Sequence, residues 1–203
     1  MIPGRRRSAP AQLETPRLIL RQWKRSDAAP YADRLVMAFH TSPLNRRESN
    51  AALQYFRTLI AQQGWGVWAV ERKRDRVFLG AAGLHTSSAA LPFSPGFGVG
   101  WRLARAHREQ GYAAEAAMAA LQYGFETLAL PEIVAFSPLL NVKSQAVMRR
   151  LGMRTDPAWH FEHPDVPMGS PLRKHCLYRM GREEWERRDV PVSAPGAKGE
   201  KEG

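Results

Sequence analysis

Two patterns of apolar and polar positions recur along the chain, alternation and helical spacing, and each predicts one type of element. Residues 17–23 predict a first strand, after which Ser26 and Asp27 cap a helix that runs to about Phe39. Apolar side chains at helical spacing predict a second helix over residues 48–63, and Gly64 supplies its stop. The later predicted elements are a hairpin of residues 67–70 and 77–84, strands over residues 99–103, 132–137 and 172–180, and helices over residues 111–128, 141–151 and 182–188.

The order of these elements predicts the fold class. A strand and two helices come before antiparallel strands, and strand-helix-strand crossovers follow, which imply locally parallel pairing. We therefore expect an α/β (α+β) fold with a mixed, mostly antiparallel central sheet and helices on both faces.

Length and composition indicate one globular domain between two tails. The 203 residues are 44% hydrophobic and 24% charged, which suits a single core. Residues 1–12 carry Pro, Gly and an Arg triplet, and residues 189–203 are small, polar and marked by proline. We expect both ends to be disordered and residues 13–188 to form the domain.

The chain has a net positive charge, which favours anionic binding partners. Lys and Arg number 30 against 19 Asp and Glu, a formal net charge of +11, which favours anionic partners. A basic ribosome-associated or nucleic-acid-associated module is therefore one hypothesis. No helix-turn-helix, zinc or RNP-type signature accompanies the charge, and we do not expect nucleic acid to be a substrate.

The cysteine count and the hydropathy indicate a cytoplasmic protein. Cys176 is the single cysteine, which excludes an internal disulfide and fits a reducing compartment. In a strand, Cys176 and the adjacent His175 point to opposite faces, so we expect a buried structural cysteine rather than a nucleophile. No apolar run approaches the roughly 18 residues of a membrane span, so no membrane partner is expected.

The segment RAHREQGYAAEAAMAAL, which begins at Arg105, predicts a helix start that could hold an anion. The first backbone N–H groups of a helix have no intrahelical partner, and Gly111 and Ala113 leave room for close approach while Arg108 adds charge. The alternative is an ordinary helix start with a solvated basic lead-in. The segment lacks the Lys-Ser/Thr ending of a P-loop, and Gly96, Gly98 and Gly100 have the wrong spacing for a dinucleotide fingerprint.

Three segments, in the right order, resemble the GNAT N-acetyltransferase superfamily. Its signature Q/R-x-x-G-x-G/A is matched by Arg108, Gly111 and Ala113 within VGWRLARAHREQGYAAEAAMAALQYGFETL. ETPRLILRQW resembles the family's first strand, and NVKSQAVMRRLGM resembles its N-x-x-S helix. The resemblance spans about residues 14–185 and is nearest to the RimJ and RimL type of ribosomal-protein N-terminal acetyltransferase. It implies the acyl-CoA N-acyltransferase fold, in which two parallel strands in the middle of the sheet splay apart.

The resemblance also implies acetyl-CoA as co-substrate, a primary amine as acceptor and no metal. The acceptor is a small molecule or a protein N-terminus, transfer is direct within a ternary complex, and relatives of this branch often form homodimers. A strand N–H between Val99 and Trp101 is expected to stabilise the oxyanion. The residues implied to contact acetyl-CoA are Val99, Gly100, Trp101, Arg102 and Leu103 of the strand, Arg108, Glu109, Gln110, Gly111, Tyr112 and Ala113 of the loop, and Asn141 and Ser144.

Asn141 and Ser144 have two interpretations. From the residues alone, Asn141 is a good helix N-cap and Ser144 an ordinary first-turn residue. The resemblance implies that Asn141 contacts the pantetheine arm and that Ser144 is a candidate general acid for the leaving thiolate.

The chain departs from the family at Gly98. Many relatives carry a glutamate there that acts as general base, and its loss leaves a catalytically degenerate acyl-CoA-binding domain as an alternative. Other candidate bases are His85, near the end of the hairpin, and His160, Glu162 and His163 in the late loop. His85 could equally be a surface residue at a strand end, and the loop histidines could be satisfied in a turn.

The absence of the expected glutamate base bears on which class of amine can be the acceptor. Deprotonating a lysine-type amine of pKa ~10.4 at pH 7 costs about 4.6 kcal/mol, but an α-amine of pKa ~8 costs only about 1.4 kcal/mol. A weak base site therefore favours an α-amine or another amine of low pKa. The alternatives are that water and backbone carbonyls accept the proton, or that the enzyme is slow or no longer catalytic. We expect the acceptor surface to come from the first two helices and from residues 89–96 and 157–171.

Overall fold

The computed structural model describes residues 12–32 and 45–188 of the chain. The tails predicted as disordered lie outside these residues, apart from Gln12. The second part of the helix predicted to run to Phe39 also lies outside them.

The described residues contain nine strands that form one sheet in the order β1-β2-β3-β4-β5-β6-β9-β7, with β8 also paired to β9. Every pair is antiparallel except β5 with β6. The predicted mixed, mostly antiparallel sheet is confirmed. The strands are β1 (Leu13–Glu14), β2 (Leu18–Arg21), β3 (Val67–Arg72), β4 (Phe78–Thr86), β5 (Phe97–Leu103), β6 (Glu132–Pro138), β7 (Arg154–Thr155), β8 (Phe161–Glu162) and β9 (Lys174–Gly181).

The helices follow the predicted order with two local differences. Ser26 and Asp27, predicted to cap the first helix, lie in a 3-10 turn (Arg25–Asp27), and no side chain caps the α-helix that follows. Asn45 caps the second helix by accepting from the Glu48 N–H, and Gly64 ends it in the left-handed region at φ 84°. The helix predicted over residues 111–128 is α-helical only to Gln122 and continues as a π-helix. The helices are α1 (Ala28–Tyr31), α2 (Arg46–Gln63), α3 (Tyr112–Gln122), the π-helix Tyr123–Thr127, α4 (Val142–Arg150) and α5 (Arg182–Glu186).

The π-helix packs closely against strands β4 and β6 of the sheet. A Cβ at Gly124 would lie 2.6 Å from Cδ1 of Ile133 in β6 and 3.3 Å from Cδ1 of Leu84 in β4. α3 and the π-helix therefore cover the sheet face onto which Leu84 and Ile133 project.

α1 and α2 cover the opposite face. Side chains alternate along a strand, so His85 projects away from the face of Leu84. On this second face Arg102 of β5 donates from Nη1 to the Tyr31 hydroxyl of α1 at 3.3 Å. The Tyr31 ring in turn meets Phe56 of α2 edge to face, with centroids 6.3 Å apart. Helices thus pack on both faces, as predicted.

Candidate functional site

A slot opens between the two parallel strands at the centre of the sheet. β5 and β6 are in register only at Gly98 and Val134, near the start of β5. Beyond this pair, residues 99–103 and 135–138 line a cavity of about 860 Å³. The strands therefore splay toward their carboxyl ends, as the resemblance implied.

The start of α3 lies at one end of this cavity. Gly111 is the N-cap in the left-handed region at φ 81°, and no side chain caps the helix. Gly111, Ala113 and Ala114 line the cavity, so the first turn of the helix faces it. Arg108 also lines it, while its Nε donates to the carbonyl of Leu103 at 2.9 Å and ties the loop to the end of β5. Uncapped N–H groups beside a guanidinium favour an anion.

Arg17 supports the Gly111 loop from the start of the chain. Its Nη1 donates to the carbonyl of Gln110 at 3.0 Å, and its Nε forms an ion pair with Glu115 of α3 at 2.6 Å. Glu115 also accepts from the Thr15 hydroxyl at 2.6 Å. Sequence reasoning missed Arg17, because the contact joins residues 93 positions apart and has no local signal.

The other loop residues present different groups to the cavity. Glu109 lines it and forms an ion pair with Lys143 of α4, both side chains being exposed. Gln110 is exposed and does not line it. The ring of Tyr112 is buried under the Arg17 guanidinium, 4.6 Å from its centroid, and Tyr112 is not among the residues that line the cavity. Lys143 is a cation at this site that sequence reasoning did not single out.

Asn141 and Ser144 line the cavity together at the start of α4. Oδ1 of Asn141 accepts from the Ser144 N–H at 3.2 Å, the expected N-cap bond. Nδ2 of Asn141 donates to Oγ of Ser144 at 3.0 Å. Because Oγ accepts from Asn141, the hydroxyl proton of Ser144 remains able to donate to another group.

His85 lies beside the slot on the α1/α2 face. It is half-buried near the end of β4 and lines the cavity. His85 is the register partner of Gly98, and a Cβ at Gly98 would lie 2.8 Å from Nε2 of the imidazole. The ring therefore occupies the space that a side chain at position 98 would need.

The surroundings of His85 favour one position for its proton. Nδ1 lies 3.4 Å from the carbonyl of Thr86, and because a carbonyl only accepts, this contact favours the tautomer with the proton on Nδ1. The lone pair is then on Nε2, the atom that lies over Gly98. Burial lowers the pKa of His85, and the nearby charge of Arg102 lowers it further. The imidazole is thus neutral at pH 7 and able to accept a proton.

The candidate bases of the late loop separate into two groups. His163 lines the cavity, and its Nδ1 accepts from the Asp165 N–H at 3.2 Å. His160 and Glu162 are not among the residues that line it, and Glu162 pairs with Arg173 at 2.9 Å.

Cys176 is buried on β9, and its Sγ donates to the carbonyl of Ser137 at 3.3 Å. Burial raises the pKa of the thiol, which disfavours the reactive thiolate. The expected buried structural cysteine is confirmed.

Residues 12–32 and 45–188 contain neither a metal-binding cluster nor a membrane-spanning helix. No group of three or more His, Cys, Asp or Glu side chains there is arranged to hold a metal ion. No helix in the same residues is long and apolar enough to cross a membrane.

A protein-family model matches more than half of the chain. Residues 17–154 match the model of the acetyltransferase (GNAT) domain, which includes the slot, the Gly111 loop and α4. A curated relative from Bacillus subtilis, the uncharacterized N-acetyltransferase YnaD, is 34% identical over 87 residues. That match covers 43% of this chain and 49% of YnaD, so the chain spans about half the length of this relative.

Solved structures share the fold. A GNAT acetyltransferase from Bacillus anthracis superimposes with a TM-score of 0.70 at 22% identity, over 86% of this chain and 100% of that one. RimL, a ribosomal L7/L12 α-N-protein acetyltransferase solved with coenzyme A, superimposes with a TM-score of 0.66 at 14% identity, over 86% of this chain and 99% of that one. At these identities the likeness shows a common fold.

Proposed function

The chain belongs to the GNAT acetyltransferase family, and we propose that it moves an acetyl group from acetyl-CoA to a primary amine by direct transfer in a ternary complex. One observation carries the proposal: a single cavity joins an uncapped helix start to an imidazole with a free lone pair. The first element suits the pyrophosphate of CoA, and the second suits the proton of an attacking amine.

The residues of the slot fit acetyl-CoA, which supplies the acetyl thioester when bound. The N–H groups around Gly111, with Arg108 and Lys143, would hold the pyrophosphate. The exposed edge of β5 at Val99 and Trp101 would pair with the pantetheine arm, as an added strand does. Glycine at position 111 leaves the loop backbone open to the anion. A Cβ at this position would also come within 3.2 Å of the Arg17 guanidinium.

His85 acts as the general base in this proposal. Its Nε2 would take the proton from the amine as the amine attacks, either directly or through one water. Because burial keeps its pKa below the ordinary value of about 6.5, it is a weak base. A weak base favours an acceptor of low pKa, such as an α-amine. Ser144 would protonate the leaving thiolate through the hydroxyl that Asn141 orients.

The remaining details belong to the same proposal. Residues 13–188 would form one RimJ/RimL-like domain with a protein N-terminal α-amine as acceptor. The likeness to RimL supports this branch through the fold alone. The single free thiol, Cys176, is consistent with a cytoplasmic location.

Two measurements test the proposal in sequence. Calorimetric titration with acetyl-CoA should show binding, and no binding at millimolar ligand contradicts the proposal. Release of free thiol should then depend on an added amine, tested with N-terminal peptides, lysine peptides, polyamines and aminoglycosides. Binding without turnover would identify an acyl-CoA-binding domain, and salt-sensitive RNA binding without acetyl-CoA binding would identify the basic module.

A further inference from the structure

Five rings pack together on the α1/α2 face of the sheet beside His85. Phe136 of β6 lies 5.5 Å from Phe93 and 5.8 Å from Phe161, measured between ring centroids. His163 and His175 complete the group, 4.9 Å from each other and 5.8 Å and 6.0 Å from Phe136. We call these five residues the aromatic cluster.

The aromatic cluster forms part of the wall of the cavity that holds His85. Phe136, His163 and His175 line this cavity, and the Phe136 ring meets the His85 ring edge to face at 6.3 Å. Val166 and Leu172 add apolar side chains to the same wall. A group attached to an amine that reaches Nε2 of His85 would therefore contact aromatic and aliphatic surface.

The two histidines of the cluster add no charge at neutral pH. Nδ1 of His163 accepts from the Asp165 N–H, so this atom carries no proton. Nδ1 of His175 contacts the carbonyl of Arg173 at 2.9 Å and therefore carries the proton of a neutral ring. Burial lowers the pKa of both imidazoles. The three rings of the cluster that line the cavity, Phe136, His163 and His175, are therefore uncharged.

Few carboxylates face the cavity to hold a second cationic group of a substrate. Among the described residues that line it, the acids are Glu109 and Asp165. Glu109 is paired with Lys143 at the loop end, and Asp165 is exposed. A polyamine or a lysine side chain would gain little from such a surface, because it would lose hydration without a buried counter-charge.

We propose that the aromatic cluster is the acceptor subsite and that it selects a primary amine carried next to an uncharged apolar group, preferably an aromatic ring. Ring-to-ring packing and burial of apolar area would hold this group while its amine faces Nε2 of His85. The inference rests on the proposed acetyl transfer and names its substrate class. Two sources share this chemistry, a free arylalkylamine and a peptide whose first residue is aromatic.

The selectivity test uses peptides that are identical except for a first residue of Phe, Leu, Asp or Lys. Their α-amines belong to one class, so the comparison isolates the side chain. We expect kcat/KM for the Phe peptide to exceed those for the Asp and Lys peptides by at least about tenfold. A second arm compares 2-phenylethylamine with butane-1,4-diamine, and faster turnover of the aromatic amine is expected there too. A preference seen only among the peptides would identify a peptide as the acceptor, and one seen only among the free amines would identify a free arylalkylamine.

A binding measurement separates the inference from the proposed function. Titration of the four peptides into the CoA-saturated enzyme should show the Phe peptide binding tightest. If some amine is acetylated but the peptides react and bind alike, or the Lys peptide is preferred, the inference is wrong and the proposed function stands. If acetyl-CoA binds but no amine is acetylated, the proposed function fails, and the binding order alone decides whether the subsite is real.

Variants of cluster residues test whether the aromatic cluster causes the selectivity. Phe136→Ala should reduce the Phe-to-Asp ratio of kcat/KM toward one. Because Phe136 lies within the sheet, His163→Asp in the loop gives a second test, and it should shift the preference toward the Lys peptide. Val77→Asp is the control, since this side chain is 37% exposed and lies between β3 and β4, outside the residues that line the cavity. Ratios that stay at the wild-type value in both cluster variants would overturn the assignment.

Discussion

The imidazole of His85 fills the space above Gly98 on the neighbouring strand, with Nε2 2.8 Å from the position of a Cβ at residue 98. The two residues are register partners in the antiparallel pair of β4 and β5, so they project to the same face of the sheet. A glutamate at residue 98, which the family resemblance led us to expect, would need the space that the imidazole occupies. The missing base on β5 is thus replaced, in our proposal, by a base from β4.

A glutamate at residue 98 should serve as the base when the His85 imidazole is removed. Gly98→Glu alone should lower activity, because the new Cβ collides with the His85 ring. His85→Ala alone should lower kcat by about 10²-fold, the usual contribution of a general base. The double variant should recover at least about tenfold of that loss, measured as thiol release with an α-amine peptide. A double variant no faster than His85→Ala would show that the two positions do not share one catalytic location.

The pH profile should report the state of His85. A protonated imidazole cannot accept the proton of the amine, so kcat/KM should fall as the pH drops through the pKa of His85. Burial lowers that pKa, which places this limb below about pH 6.5. A second limb near the pKa of the α-amine, about 8, should remain in every variant. His85→Gln should remove only the lower limb, and a lower limb that survives this substitution would assign the base elsewhere.

Arg17 should contribute to acetyl-CoA affinity without contacting the ligand. Its guanidinium bridges the Gln110 carbonyl and the Glu115 carboxylate, which holds the loop ahead of α3. Arg17→Lys keeps the charge but cannot make both contacts, so we expect the Kd of acetyl-CoA to rise about tenfold. Calorimetry checks this value, and Arg187→Lys, at an exposed ion pair, is the control. An unchanged Kd in the Arg17 variant would remove the residue from the site.

Ser144 should affect turnover more than binding. Ser144→Ala deletes the hydroxyl that Asn141 orients but leaves the N-cap bond to the backbone N–H. We expect kcat to fall at least about tenfold while the Kd of acetyl-CoA changes less than about threefold. Steady-state kinetics and calorimetry on the same preparation separate the two effects. An unaltered kcat would exclude Ser144 as the general acid.

Local patterns predicted most of the fold. The second helix, predicted over residues 48–63, spans Arg46–Gln63, because its apolar spacing and its stop at Gly64 are local signals. Its cap at Asn45 was not predicted. The switch from α-helix to π-helix at Tyr123 was missed, since it accompanies the contact between Gly124 and Ile133 across the packed sheet. Patterns along the chain carry no information on such contacts.

In the candidate site too, local motifs could be predicted from the sequence, whereas contacts between distant residues could not. The Gly111 loop and the pair of Asn141 and Ser144 are local motifs, and the structure brings them to one cavity. The predicted strand ended at residue 84, with His85 near its end, whereas β4 continues to Thr86 and includes His85. Its location became clear only when β4 was paired with β5. Arg17 could not be found in this way, because its partner Glu115 is 98 residues distant.

The most direct measurement is amine-dependent release of CoA thiol by wild type and by His85→Gln, with an α-amine peptide as acceptor. We predict turnover by wild type, a kcat about 10²-fold lower in the variant, and equal acetyl-CoA affinity in both. His160→Gln, at a histidine outside the cavity lining, should behave as wild type. Equal turnover by wild type and His85→Gln, or none by wild type despite acetyl-CoA binding, would contradict the proposal that this chain is an N-acetyltransferase with His85 as its base.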